Sequence, residues 1–249
     1  MVNYEESFKK PFTNLTKLVI GIILSFIPIV HWIARGFTIE SSGLGKSKPS
    51  PKMPEWKNFG HLFIRGLLAD IIFFIYALPA IIIFAVGIGI TIASVFSTVA
   101  GSFLPTDFFQ AVRMGQFQDG MMRQMILQNW PMLLPAILTA VPLFLLALVL
   151  LLFASFVSPI AILNYVKTNK FSEAFNFSFV CKKVCNGKYF IVWLIVIILT
   201  GILGAILSYV PVIGKAAAFF ITGVIGFTLY GQVFRELDKS KEVGKGKRK

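Results

Sequence analysis

The chain has 249 residues, of which 56% are hydrophobic and only 14% charged, and its mean hydropathy is +0.79. A soluble protein of this length needs a far more polar surface, so composition excludes a soluble domain and points to an integral membrane protein. The formal net charge of +13 does not imply nucleic acid, because the lysines flank apolar runs and no basic-aromatic recognition module accompanies them.

Basic residues beside apolar runs instead set membrane orientation and attract anionic lipid headgroups. Two cysteines, Cys181 and Cys185, make no disulfide framework, and two histidines in the whole chain do not suggest a zinc site, so no metal and no cofactor is expected. The N-terminus does not read as a cleavable signal, since the apolar run starts late and no A-x-A-like site follows it.

In chain order, Tyr4, Phe8 and Phe12 recur every four residues opposite Glu5, Glu6, Lys9 and Lys10, the pattern of a short helix on the membrane surface. The first apolar run, 18–34, is interrupted at Pro28, and His31 and Arg35 share a helical face near its far end. Residues 41–54 form a Gly/Ser/Pro/Lys linker. Trp56, Phe59, Phe63 and Leu67 then sketch an amphipathic approach, with Trp56 suited to the interfacial belt. The run 67–99 would be about 50 Å long as one straight helix, more than a bilayer core, so it is expected to bend at Pro79 or Gly87. Gly89 and Ala93 belong to a small-residue stripe suited to close helix packing.

Residues 105–130 are more polar and read as interfacial helices; 132–166 is a second overlong run carrying Pro135, Pro142 and Pro159. Phe171, Phe175 and Phe179 repeat the four-residue aromatic spacing opposite Glu173, Lys182 and Lys183. That spacing predicts a helix lying flat on the cytoplasmic leaflet, rings in the acyl chains and lysines at the headgroups. A two-span hairpin follows, 189–210 and 212–234, turning at Leu207-Ser-Tyr-Val-Pro-Val-Ile213, which echoes Leu24-Ser-Phe-Ile-Pro-Ile-Val30. Gly201 and Ala205 on its first helix are expected to pack on Thr222 and Gly226 of the second. Residues 236–249 read as a basic, disordered cytoplasmic tail.

The fold class is therefore all-α: one polytopic membrane domain over 1–235, with interfacial amphipathic helices and four to six crossings. The distribution of Lys and Arg places the linker, the loop holding Cys181 and Cys185, and the tail in the cytoplasm of a cell membrane. Length favours a full crossing by 18–34; charge favours a run that dips in and returns, and the two leave the side of the N-terminus open. Asp70 lies some three residues into an apolar run, where an ionisable group is costly and needs a partner. His31 and Arg35 are the candidates, either as an ion pair that fixes two helices or, less favoured, as a proton- or substrate-handling site.

Lys10-Pro-Phe12, the Pro28 septet, Gly36-Phe37, Met53-Pro-Glu-Trp56, Tyr76-Ala-Leu-Pro79, Ser158-Pro-Ile-Ala161, Ala174-Phe-Asn-Phe177 and Tyr230-Gly-Gln-Val-Phe-Arg-Glu236 occur in this order. In that order the chain resembles the domain of unknown function 4013 family, uncharacterised and mainly archaeal multi-pass membrane proteins. The resemblance implies an integral membrane protein and transfers no catalytic residue. No G-x-S-x-G, H-E-x-x-H or Walker pattern is present. The expectation is a non-enzymatic scaffolding protein that binds lipid, a partner membrane protein or a second copy of itself. The alternative is a small-molecule or ion transporter built on the Pro-centred repeat.

Overall fold

The structure of the chain is a computed structural model that describes residues 2–44, 50–103, 113, 130–131, 134–135, 137–210 and 213–246, with side chains described except at 98–103 and 239–246. The interfacial helices expected over 105–130 lie outside the described residues apart from Arg113 and Trp130, as do Pro211, Val212, the middle of the linker and the last three residues of the tail. All regular structure among the described residues is helical. In chain order come α1 (Tyr4–Lys9), a 3-10 turn (Lys10–Thr13), α2 (Leu15–Phe26), α3 (His31–Glu40), α4 (Phe59–Phe103) and α5 (Val141–Thr168). A second 3-10 turn (Phe171–Phe175), α6 (Phe177–Val184), α7 (Gly187–Leu207) and α8 (Ile213–Gly246) complete the order. Four of these, α4, α5, α7 and α8, are long and apolar enough to cross a membrane.

The described chain divides into two compact units where sequence reading expects one domain: residues 1–76 with 154–249, and residues 77–153. In the second unit the later part of α4 meets the start of α5. The Phe84 and Phe144 rings lie 5.4 Å apart, and a Cβ at Gly87 would come within 2.8 Å of Phe144.

In the first unit the short apolar run turns back on itself. Helix α2 has 12 residues, so it spans about 18 Å, well short of a hydrocarbon core of roughly 30 Å. The chain reverses over 27–30, where Ile29 adopts φ 71°, an unusual conformation for a β-branched residue. The segments that lead into and out of this α2–α3 hairpin both meet residues 228–235 of α8. The Asn3 backbone N–H donates to Gln232 Oε1 at 2.7 Å, and Gln232 Nε2 donates to Ser7 Oγ at 3.3 Å. At the other end Thr228 Oγ1 donates to the Ser41 carbonyl at 3.3 Å and Arg235 Nη1 to the Ser42 carbonyl at 2.8 Å. The N-terminus therefore lies beside residues 228–235 of α8, the arrangement that a run dipping in and returning would need.

Helix α8 is the axis of this unit, with Phe220, Val224, Leu229, Val233 and Phe234 all buried. It runs on to Gly246, through the segment whose composition reads as a disordered tail. Ion pairs explain the start of that extension: Asp238 Oδ2 lies 2.8 Å from Lys167 Nζ, Asp238 Oδ1 meets Lys183 Nζ, and Glu236 meets Lys188.

The surface-anchor helix is corrected. Phe171 and Phe175 lie on a 3-10 turn and Phe179 on α6, separated by Asn176, whose Oδ1 accepts from the Phe179 N–H and caps α6. Phe175 and Phe179 pack on the core, while Phe171 stays partly exposed. Lys182 is exposed, but Lys183 is fully buried, its Nζ 3.1 Å from the Phe234 carbonyl and 3.6 Å from the centre of the Phe234 ring. An ammonium that finds a carboxylate, a carbonyl and two aromatic faces has no reason to seek the headgroups. Trp56, expected in the interfacial belt, stacks on Phe37, ring centres 3.9 Å apart.

Close helix contacts use other glycines than the expected ones. A Cβ at Gly89 or Gly201 would meet nothing within 4 Å, and Ala93 and Ala205 are exposed; only Thr222 and Gly226 of that set face the interior. The tight crossing is between α3 and α4, where a Cβ on Gly36 would sit 2.0 Å from the Leu62 carbonyl oxygen and one on Gly66 would sit 1.9 Å from that of Trp32. The obstacle is backbone, which cannot swing aside. Gly66→Ala should therefore lower the melting temperature in detergent by the equivalent of about 1–3 kcal/mol or more, while Gly201→Ala should leave it unchanged or raise it slightly. Equal effects of the two would contradict this crossing.

Candidate functional site

Two helices that touch at glycines bring the side chains one turn away within reach of each other. From the Gly36–Gly66 crossing, one turn back along α3 gives His31, Trp32 and Arg35, and one turn forward along α4 gives Asp70. Arg35 Nε lies 3.3 Å from Asp70 Oδ1, and His31 Nε2 lies 3.7 Å from Asp70 Oδ2. The structure thus brings Asp70, Arg35 and His31 together. It adds Trp32, whose Nε1 donates to Asp70 Oδ2 at 3.1 Å. Sequence reading passed over Trp32 because its helical direction matters only once the crossing point is known. The Asp70 side chain keeps about a third of its surface exposed and that of Arg35 a fifth. The Arg35 guanidinium is held from the other side by two rings, its Cζ 5.6 Å from the centre of Phe219 and 5.4 Å from that of Phe227.

Arg35 also faces a recess of about 250 Å³ among α3, α4, α5, α7 and α8. Its walls include Phe73, Ile162, Phe219 and Phe227, with Ser158 of α5, Trp193 of α7 and Tyr230 of α8 as polar points. Pro159 lies inside α5 beside Ser158 and removes one rung of the backbone ladder there. Gly226 keeps α8 close to α7, since a Cβ on it would lie 3.2 Å from Val196. No group of three or more His, Cys, Asp or Glu side chains suited to a metal ion occurs among the described residues.

A second polar cluster is structural. Helix α3 ends inside the protein, so its last carbonyls need protein donors. Lys10, almost fully buried, donates from Nζ to the Ser41 carbonyl at 2.8 Å, beside the donations from Thr228 and Arg235. Gly43 at φ 68° closes the helix, and Gly231 of α8 leaves room for Ser42, whose carbonyl oxygen would lie 2.3 Å from a Cβ there. The Tyr76 hydroxyl donates to the Ala174 carbonyl at 2.8 Å.

The Asp70 cluster has a thermodynamic signature. Asp70→Asn removes the charge opposite Arg35, and Arg35→Ala removes the charge opposite Asp70; each should destabilise the protein in a detergent melt. The double variant should lose less than the two losses added together, by about 0.5–3 kcal/mol. Simple additivity would show that the two charges do not interact.

A family model described as a protein of unknown function (DUF4013) matches residues 19–212. No curated protein and no solved structure matches the chain. The match takes in most of the α2–α3 hairpin, the α3–α4 crossing and the α3, α4, α5 and α7 walls of the recess, but not its α8 wall, and covers well over half of the sequence. The chain belongs to the DUF4013 family.

Proposed function

We propose that this member of the family is a non-catalytic binding protein of the cell membrane, a scaffold for lipid or for partner membrane helices, with both ends in the cytoplasm. The observation that carries the reading is the contrast between two adjacent helices. Within its membrane window α8 is 78% buried by the chain itself, whereas α7 is only 6% buried. On α7, Phe190, Leu194, Ile198, Ile202 and Ile206 form an exposed apolar ridge at every fourth position. Apolar side chains gain little by leaving lipid for one another, so helix association in a membrane relies on shape and close approach. Gly201 and Ala205 lie open beside the ridge and suit a neighbouring helix, whether from another protein or a second copy.

A photo-reactive benzoylphenylalanine at Ile198 or Ile202 should give a discrete protein-to-protein adduct in native membranes, and one at buried Leu229 should not. Recovery of lipid adducts alone would sink the partner-helix reading. The transporter reading is favoured by one observation, the polar-pointed recess beside Arg35 at the middle of α7 and α8.

The orientation rests on charge. With the N-terminus and the α8 end on one side, that side collects nearly all the lysines and arginines, which supports a cytoplasmic assignment. Cys181 and Cys185 are exposed thiols near that face. A membrane-impermeant maleimide should label them only after intact cells are opened; labelling in sealed cells would reverse the assignment.

A further inference from the structure

We infer that the recess beside Arg35 is a binding site for an oxyanion, phosphate or carboxylate, carried on a small apolar body. This names the ligand chemistry within the binding-protein reading, and rests on it. Thr200 and Thr222 of the recess lining donate to their own helix backbones, but Arg35, Ser158, Trp193 and Tyr230 hold unspent donors among the described residues. No nitrogen of the Arg35 guanidinium completes a hydrogen bond among the described residues, although Nε sits in ion-pair range of Asp70. Trp193 Nε1 is buried and has no hydrogen-bond partner there. The hydroxyls of Ser158 and Tyr230 make no hydrogen bond among the described residues either, although both residues are buried. No carboxylate is among the residues lining the recess.

Donors left unmade in an apolar surrounding are costly, and a desolvated cation needs more than one edge satisfied. A planar guanidinium whose Nε edge is turned to Asp70 keeps its two terminal nitrogens for another acceptor, and two parallel N–H groups match two oxygens of a carboxylate or phosphate. The Phe219 and Phe227 rings hold the guanidinium in place without supplying an acceptor. Trp193, Tyr230 and Ser158 would donate to the remaining oxygens, while Phe73 and Ile162 offer an apolar wall to the body of the ligand. A volume of about 250 Å³ is below the range for drug-sized ligands, so the occupant is small or enters with its head only.

The source is either a free small anion or the headgroup of a membrane lipid, and one experiment separates them. The full chain in nanodiscs of neutral lipid is melted during titration with inorganic phosphate or butyrate, with chloride at equal ionic strength as control, and separately in discs containing phosphatidylglycerol. Stabilisation by a free anion in neutral lipid identifies a soluble ligand; stabilisation by phosphatidylglycerol alone identifies the headgroup. In either case Trp193→Phe and Tyr230→Phe, which keep an aromatic ring and delete one donor each, should weaken the apparent affinity about fivefold to tenfold. Arg35→Gln should abolish the effect, and Arg65→Gln, whose partners are Glu40 and Asn169, should leave it unchanged. Should Arg35→Gln fail to fold, the two ring variants decide. No stabilisation by any of the three additions, or stabilisation that both ring variants retain in full, overturns the proposal and leaves the donors to water. Because this measurement uses the isolated chain, its failure is distinct from a failure to find a crosslinked partner on α7.

Discussion

A helix that stops inside an apolar bundle leaves carbonyl oxygens that neither water nor lipid can satisfy. The first unit is arranged to meet that constraint at the end of α3. Lys10, Thr228 and Arg235 converge on Ser41 and Ser42 from opposite ends of the chain, and each gives up hydration to do so. The α2–α3 hairpin follows from it, because α3 can end there only where Lys10 and α8 provide donors. The position of Arg35 and His31 follows in turn, since it depends on where α3 lies against α4.

The echo between the two Pro-centred septets acquires a physical meaning. Both stretches lie where one helix turns into the next, α2 into α3 and α7 into α8. In each case a short helical segment before the hairpin buries a lysine that donates to a carbonyl on its second arm or just beyond it, Lys10 to Ser41 and Lys183 to Phe234. The hairpins open on the same side, because Lys188 at the start of α7 pairs with Glu236 near the end of α8. They differ in reach: α2 is too short to cross alone, and α7 is long enough.

The sequence revealed the elements more readily than their faces. Apolar runs, their breaks near Pro28 and Pro211, and the need of Asp70 for a cationic neighbour follow from hydropathy and from the cost of a charge in lipid. The inward and outward sides of the helices do not, because a helix in lipid can be apolar all round and periodicity then carries no direction. That is why Gly89 and Gly201 looked equivalent to Gly36 and Gly66, although only the latter pair touches a neighbouring backbone. It is also why Lys183 read as a headgroup anchor. Its burial depends on Asp238 and Phe234, some fifty residues further on, and no local pattern encodes such a partner. The unspent donors of the recess belong to four different helices and become a group only in three dimensions.

The Asn3–Gln232 contact spans nearly the whole chain, and those from Ser41 and Ser42 to α8 span most of it. During synthesis, then, α2 and α3 leave the ribosome long before α8 exists. Lys10 can reach the Ser41 carbonyl within the first hairpin, but the Ser42 carbonyl gains Arg235 only when α8 arrives. The polar end of α3 is therefore completed by the helix that is made last.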